Sequence, residues 1–238
     1  MIETDIIISI NVHEKINFLI KQIKNINEYV LLNYIIIINA NKYMYDEISK
    51  CEFIKSQDNI ILNENYLEKK LYHGSLTEGI YLNMKYIFNN YKFKYFIILS
   101  SRNLFYNKLN NTNYNLLEKK NHGIPYEKLD TKVWHWPRMI KTKLSRYIIK
   151  NNLLFACSAH EGLTFDYINC KDIIQFLDNN DDIKTDLFNY NTPVEEFALQ
   201  TICINLNGYY YYIGNGTTTQ NNINNLPKSH FVYKTRRI

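Results

Sequence analysis

Residues 73–90, HGSLTEGIYLNMKYIFNN, lead through the spacer YKFK into YFIILSSRN at 95–103. From Thr77 to Asn89 the positions Ile80, Leu82, Met84, Ile87 and Phe88, with Tyr81, recur at roughly helical spacing, and Gly74-Ser75 supplies the turn that opens the helix. Tyr95 to Leu99 is an unbroken apolar run, the pattern of a strand buried on both faces of a parallel sheet. A helix followed by such a strand is half of a βαβ unit. Ligands of open α/β sheets bind beyond the carboxyl ends of the strands, so Ser100, Ser101, Arg102 and Asn103 are expected at a cleft.

Upstream, strand and helix alternate. Asp5 to Ile10 reads as a strand, Glu14 to Tyr29 as a helix with Ile16, Leu19, Ile20 and Ile23 on one face, and Tyr34 to Ile38 as a second strand. A short helix near Tyr45 to Lys50 and a small strand at Asn59 to Leu62 complete a βαβαβ half of the nucleotide-binding type. Neither GxGxxG nor GxxxxGK[ST] is present, so neither a dinucleotide fingerprint nor a P-loop is indicated. Downstream, 103–138 looks irregular. A helix is expected near Met139 to Lys150, a strand at Leu153 to Ala156 and a helix at Ile168 to Leu177. The Gly/Asn/Thr/Pro-rich stretch 215–228 reads as a long loop, either a lid or low-complexity surface.

With 238 residues, 46% of them hydrophobic and 21% charged, the chain carries enough apolar material to bury a substantial core. The formal charge of +5 favours phosphate-bearing partners, while Lys and Arg are scattered without a recognition motif, which argues against nucleic acid as a partner. Cys51, Cys157, Cys170 and Cys203 are far apart and form no zinc-ligand spacing, so reduced thiols and no metal are expected. The N-terminal IIISI is too short to span a membrane and follows no basic segment; a soluble, cytoplasmic protein is the expectation.

The segment NTPVEEFALQTI, 191–202, is the sharpest candidate for chemistry. Thr192, Pro193 and Glu195 match a T-x-x-E capping box with proline at the first helical position, which gives Glu195 a structural task. Glu196 is left over, and a carboxylate at a helix start, kept ionised by the dipole, is suited to accept a proton from a hydroxyl; a solvent-facing first-turn glutamate fits the same pattern. Asp178 with Asp181-Asp182 imitates a metal motif but follows a helical run and reads as a solvated helix end. Trp134 and Trp136 flank His135 and are suited either to stack on a sugar ring or to anchor the core.

Taken in order, NVHEKINFLIKQI, INANK, HGSLTEGIYLNMKYI, YFIILSSRNLF, SAHEGLTF and VEEFALQTI resemble the landmarks of the core-2/I-branching β-1,6-N-acetylglucosaminyltransferase family, which includes the peptide xylosyltransferases. The likeness runs from about residue 5 to the C-terminus. It implies that Val12 and His13 lie near the nucleotide and that Asn41 stands where the family has an acid associated with the base. His73-Gly74-Ser75 matches a Trp-Gly-Ser-like element, and Leu99-Ser100-Ser101 a Leu-Ser-Gly strand end. His160-Glu161 replaces a Gln-Trp pair on the acceptor side. Aligning on Thr201 puts the family's catalytic glutamate at Glu196, with Glu195 the alternative. The basic ending HFVYKTRRI places Lys234, Arg236 and Arg237 where the family holds the diphosphate without an Asp-x-Asp metal site.

The resemblance therefore implies an α/β fold of the GT-A glycosyltransferase type, with a Rossmann-like, mostly parallel central sheet flanked by helices. A single domain, 1–238, would comprise a nucleotide-binding half at 1–103 and an acceptor-side and diphosphate-binding half at 104–238. The implied activity is inverting, metal-independent transfer from a UDP-sugar to a hydroxyl of a glycan or glycoprotein, with no cofactor. Donor residues would be Val12, His13, Asn41, Ser100, Lys234, Arg236 and Arg237; acceptor residues would be Arg102, Trp136 and Glu161. Two rivals stay open: a non-catalytic nucleotide- or carbohydrate-binding protein on the same fold, which the departures at Asn41 and Glu161 keep open, and, separately, a metal-dependent GT-A transferase.

Overall fold

The computed structural model describes residues 2–12, 15–116, 119–120, 122–217, 226 and 230–235. The first half runs β1 (Ile2–Asn11), α1 (Ile16–Tyr29), β2 (Tyr34–Asn39), α2 (Lys42–Ser49), α3 (Glu52–Lys55), β3 (Ile60–Leu62), α4 (Ser75–Asn90) and β4 (Tyr91–Ser100). Then come β5 (Asn103–Phe105), β6 (Lys119–Lys120), α5 (Trp136–Met139), α6 (Lys143–Lys150), β7 (Leu163–Asp166), α7 (Tyr167–Asn179) and α8 (Asp181–Asn189). The chain continues with α9 (Ala198–Asn205), β8 (Tyr210–Tyr212), β9 (Gly214–Thr217) and β10 (Val232–Lys234).

The protein is an α/β protein built on a seven-stranded mixed sheet of order β3-β2-β1-β4-β7-β8-β6. Its core, β3-β2-β1-β4, is parallel and Rossmann-like. β7, β8 and β6 extend it antiparallel. A smaller sheet, β5-β10-β9, stands beside it. The pleat sorts the isoleucines of β1: Ile6, Ile8 and Ile10 join one core with Leu19, Ile23 and Ile26 of α1, while Ile7 joins the other with Ile80, Met84 and Ile87 of α4. Ile6, Ile7, Ile8 and Ile10 are fully buried, worth about 1.5–3 kcal/mol each, while Ile2 at the start of the strand is exposed. The apolar stripe of α1 carries one polar residue, Gln22, whose Nε2 donates to the carbonyls of Ser100 (2.8 Å) and Asn103 (2.9 Å). It thereby fixes the carboxyl end of β4.

Several expectations are corrected. The sheet is mixed rather than mostly parallel, because β6, β7 and β8 are too short to show a period in sequence yet pair in antiparallel order beside β4. The strand expected at Leu153 to Ala156 is a single bridge between Ile124 and Phe155. The helix expected from Met139 to Lys150 is two, separated where Thr142 caps α6 by accepting from Ser145 N. The capping box at Thr192 does not form. Val194–Glu196 is a separate 3-10 turn, and Phe197, at φ −139°, breaks it from α9 as its ring buries against Trp136. Tertiary packing outweighs the local signal. The 215–228 loop lies mostly outside the described residues, though its start belongs to β9. Among the described residues, no helix is long and apolar enough to cross a membrane.

Candidate functional site

In the parallel core, chain order reverses between β1 and β4, and a cavity of about 480 Å³ opens at their carboxyl ends. Asn11 from β1 and Leu99 and Ser100 from β4 form its floor. The end of β4 is closed by its own sequence: Asn103 Oδ1 accepts from Ser100 N (2.6 Å) and from Ser100 Oγ (2.9 Å). This tight return starts β5, which pairs with β10 so that Lys234 stands opposite Asn103. Thr235 N donates to the Arg102 carbonyl (3.0 Å), and an Arg102 Nη donates to that of Thr235 (3.2 Å). Arg102 and Lys234 thus enter the same wall from two strands.

Glu161, Glu195 and Glu196 line the same cavity. Glu161 accepts from Lys234 Nζ and lies 3.5 Å from His160 Nε2. Gly162, at φ +90°, turns the chain immediately after it; a side chain there would meet Gly214 N at 2.5 Å, so glycine is needed for β9 to approach. Burial alone would raise the Glu161 carboxyl, but His160 and Lys234 outweigh it and hold it below its usual range. His160 is itself lowered, by burial.

The Val194–Glu196 turn is clamped from below. The Glu196 carbonyl accepts from Ser158 N (3.0 Å) and Gln200 Nε2 (2.5 Å), while Thr201 Oγ1 both accepts from Ala156 N (3.0 Å) and donates to its carbonyl (2.9 Å). Burial, reinforced by the charge of Glu161, pushes the Glu196 carboxyl up to about 7, with Lys234 opposing. Glu195 is 3% exposed, and burial drives it well above the carboxylate range. Its Oε2 has no hydrogen-bond partner, nor do Asn11 Oδ1 and His160 Nδ1, which leaves three orphaned polar atoms on residues of this cavity. Such atoms are costly unless a ligand or water completes them. Two adjacent carboxyls held at different acidities suit proton transfer: one neutral donor, one acceptor near neutrality.

The structure brings Ser100, Arg102, Glu161, Glu195, Glu196 and Lys234 into one cavity wall. Three other predicted residues lie apart from it. Val12 is fully buried in the core beneath α1. Asn41 caps α2, its Oδ1 accepting from Met44 N at 2.9 Å. Trp136 is buried, 5% exposed, and packs edge-on against Phe155 and Phe197. His13, Arg236 and Arg237 lie outside the described residues. Sequence reading missed Asn11, Leu71 and Tyr72, which reach the cavity only through tertiary approach, although Asn11 ends an otherwise apolar strand. Asp178 serves structure: it accepts from Tyr81 and pairs with Lys85 at 2.8 Å.

Among the described residues, no group of three or more His, Cys, Asp or Glu side chains is arranged to hold a metal ion. No family model matches the chain, and no curated protein matches it in sequence.

Proposed function

We propose that the protein is a GT-A-type glycosyltransferase that moves a sugar from a UDP-sugar to a hydroxyl of a glycan or glycoprotein with inversion at the anomeric carbon. The observation that carries this reading is Glu196: a partly buried carboxyl near neutrality, lining a cavity at the sheet's switch point that Lys234 and Arg102 also line. A general base works best when its pKa lies near the working pH. Glu196 takes the proton of the acceptor hydroxyl as that oxygen attacks. Lys234 and Arg102 stabilise the charge developing on the departing diphosphate, a task a metal would otherwise perform, so the transfer is metal-independent. Buried, protonated Glu195 offers a hydrogen bond to the sugar or the acceptor.

A second reading rests on Glu161. Because it already pairs with Lys234, that ammonium is less able to stabilise a departing diphosphate, which favours a protein that binds nucleotide or glycan without transfer. A donor-turnover screen across UDP-sugars, run in parallel EDTA and manganese arms, separates the readings. Release of UDP in the EDTA arm is expected. UDP binding without release in either arm supports the binding protein, and release confined to manganese supports a metal-dependent transferase.

A further inference from the structure

Four described non-glycine residues have positive φ: Tyr72, Trp134, Asn152 and Asn207. For asparagine this region is cheap, since its short amide bonds locally; for bulky aromatic residues it is strained. Both strained aromatics, each at φ 54°, belong to one feature. Tyr72 lines the cavity and is 57% exposed. Its ring centroid lies 6.3 Å from that of His135, which lies 5.3 Å from that of Trp134, itself 44% exposed. Rings this exposed gain little from burial to offset the strain, and strain of this kind persists at ligand-binding sites.

We infer that Tyr72, His135 and Trp134 form a shelf leading out of the cavity that stacks on the apolar face of a pyranose ring: an acceptor subsite for a neutral oligosaccharide. Aromatic surfaces with one polar edge suit a ligand with an apolar face and a hydroxyl rim. The choice of a neutral sugar follows from Glu161 and Glu196, which as carboxylates accept hydrogen bonds from hydroxyls and disfavour an anionic acceptor away from Lys234 and Arg102. The shelf is also tied to the chemistry. Trp134 stands edge-on against Trp136, 5.5 Å between centroids, and Trp136 stands edge-on against Phe197, the residue after Glu196. Buried Trp136 therefore supports the shelf from beneath and sets its height relative to the proposed base. Assigning the shelf to the acceptor rests on the transferase reading.

The test uses the full chain, a panel of neutral di- to tetrasaccharides built from hexoses and N-acetylhexosamines, and the variants Tyr72→Gly and Trp134→Gly. Glycine adopts φ 54° without penalty, so both variants should fold with unchanged or higher melting temperature. Saturation-transfer NMR on the wild type should show contact along one pyranose face. Each variant should bind the same sugar about tenfold more weakly or worse. Absence of contact for every sugar in the panel, or wild-type affinity retained in both variants, overturns the inference. So does a lowered melting temperature with binding intact, which would mean that the rings serve the fold. UDP titrated into the wild type reads the cavity separately. Sugar binding without UDP binding keeps the shelf and defeats the transferase reading; UDP binding without sugar binding defeats the shelf alone.

Discussion

Replacing Glu196 by glutamine should stabilise the protein while abolishing its chemistry, and the size of the gain should depend on pH. In the fold the carboxyl sits at about 7, against an ordinary 4.5. Between those values the unfolded chain releases the proton and the folded chain keeps it, so stability is fully present below 4.5 and is lost as pH rises through 7. A displacement of this size corresponds to about 3 kcal/mol. Because Glu196 is partly exposed, solvent screening reduces the realisable figure to about 1–2 kcal/mol. Glutamine has the same shape and no charge to desolvate. The variant should therefore match the wild type near pH 4.5 and melt roughly 2–8 °C higher at pH 8.5, a range set by a chain of this length. His160 has no direct coupling to Glu196 and cancels in the difference, whereas Glu195 is raised in part by the Glu196 charge, so glutamine relieves that shift and adds to the gain in the same direction. Paired melting curves across pH 4.5–8.5 make the measurement. A difference that stays flat with pH would mean that Glu196 is not held near neutrality, and the argument for it as a base would fall.

Three further outcomes follow from the same geometry. In a transfer assay, kcat/KM should rise with pH and level off above about 7, because Glu196 acts deprotonated; a profile that falls over this range would assign it the role of acid. Lys234→Ala strands Glu161, a carboxylate whose side chain is 10% exposed, and should cost roughly 3 kcal/mol in denaturant unfolding, with most of the loss recovered by adding Glu161→Gln; no recovery would show that the pair is not the cause. Gly74→Ala would place a methyl 1.8 Å from the Leu187 carbonyl oxygen at the end of α8, where backbone cannot yield, so a loss of about 3 kcal/mol or more is expected; a variant as stable as the wild type would contradict the packing of α4 on α8.

The parallel core was legible because its elements are long and periodic. Ile6 to Ile10 and Tyr95 to Leu99 announce buried strands, and the spacing of Leu19, Ile23 and Ile26 announces the helix that covers them. The antiparallel half was not. β7 and β8 have four and three residues, and their pairing is decided by contacts across the sheet that no local pattern encodes. At the site, the same difference appears residue by residue. Glu196, Lys234, Glu161 and Arg102 stand out as charges in distinctive settings. The roles of Glu195 and Trp136 were misplaced, because a capping signal was overruled by the burial of Phe197, and a loop tryptophan proved to be the one that faces inward. Tyr72 gives no sequence signal, since its significance lies in a backbone angle and in the loop opposite it.

The most direct test of glycosyl transfer by Glu196 is the anomeric configuration of the product. Wild-type protein and Glu196→Gln would be incubated in EDTA with α-linked UDP-sugars and glycan acceptors, and the new linkage read by proton NMR. The account predicts a β-linkage from the wild type and a rate about a hundred- to ten-thousand-fold lower from the variant. An α-linked product, or undiminished turnover by Glu196→Gln, would contradict it.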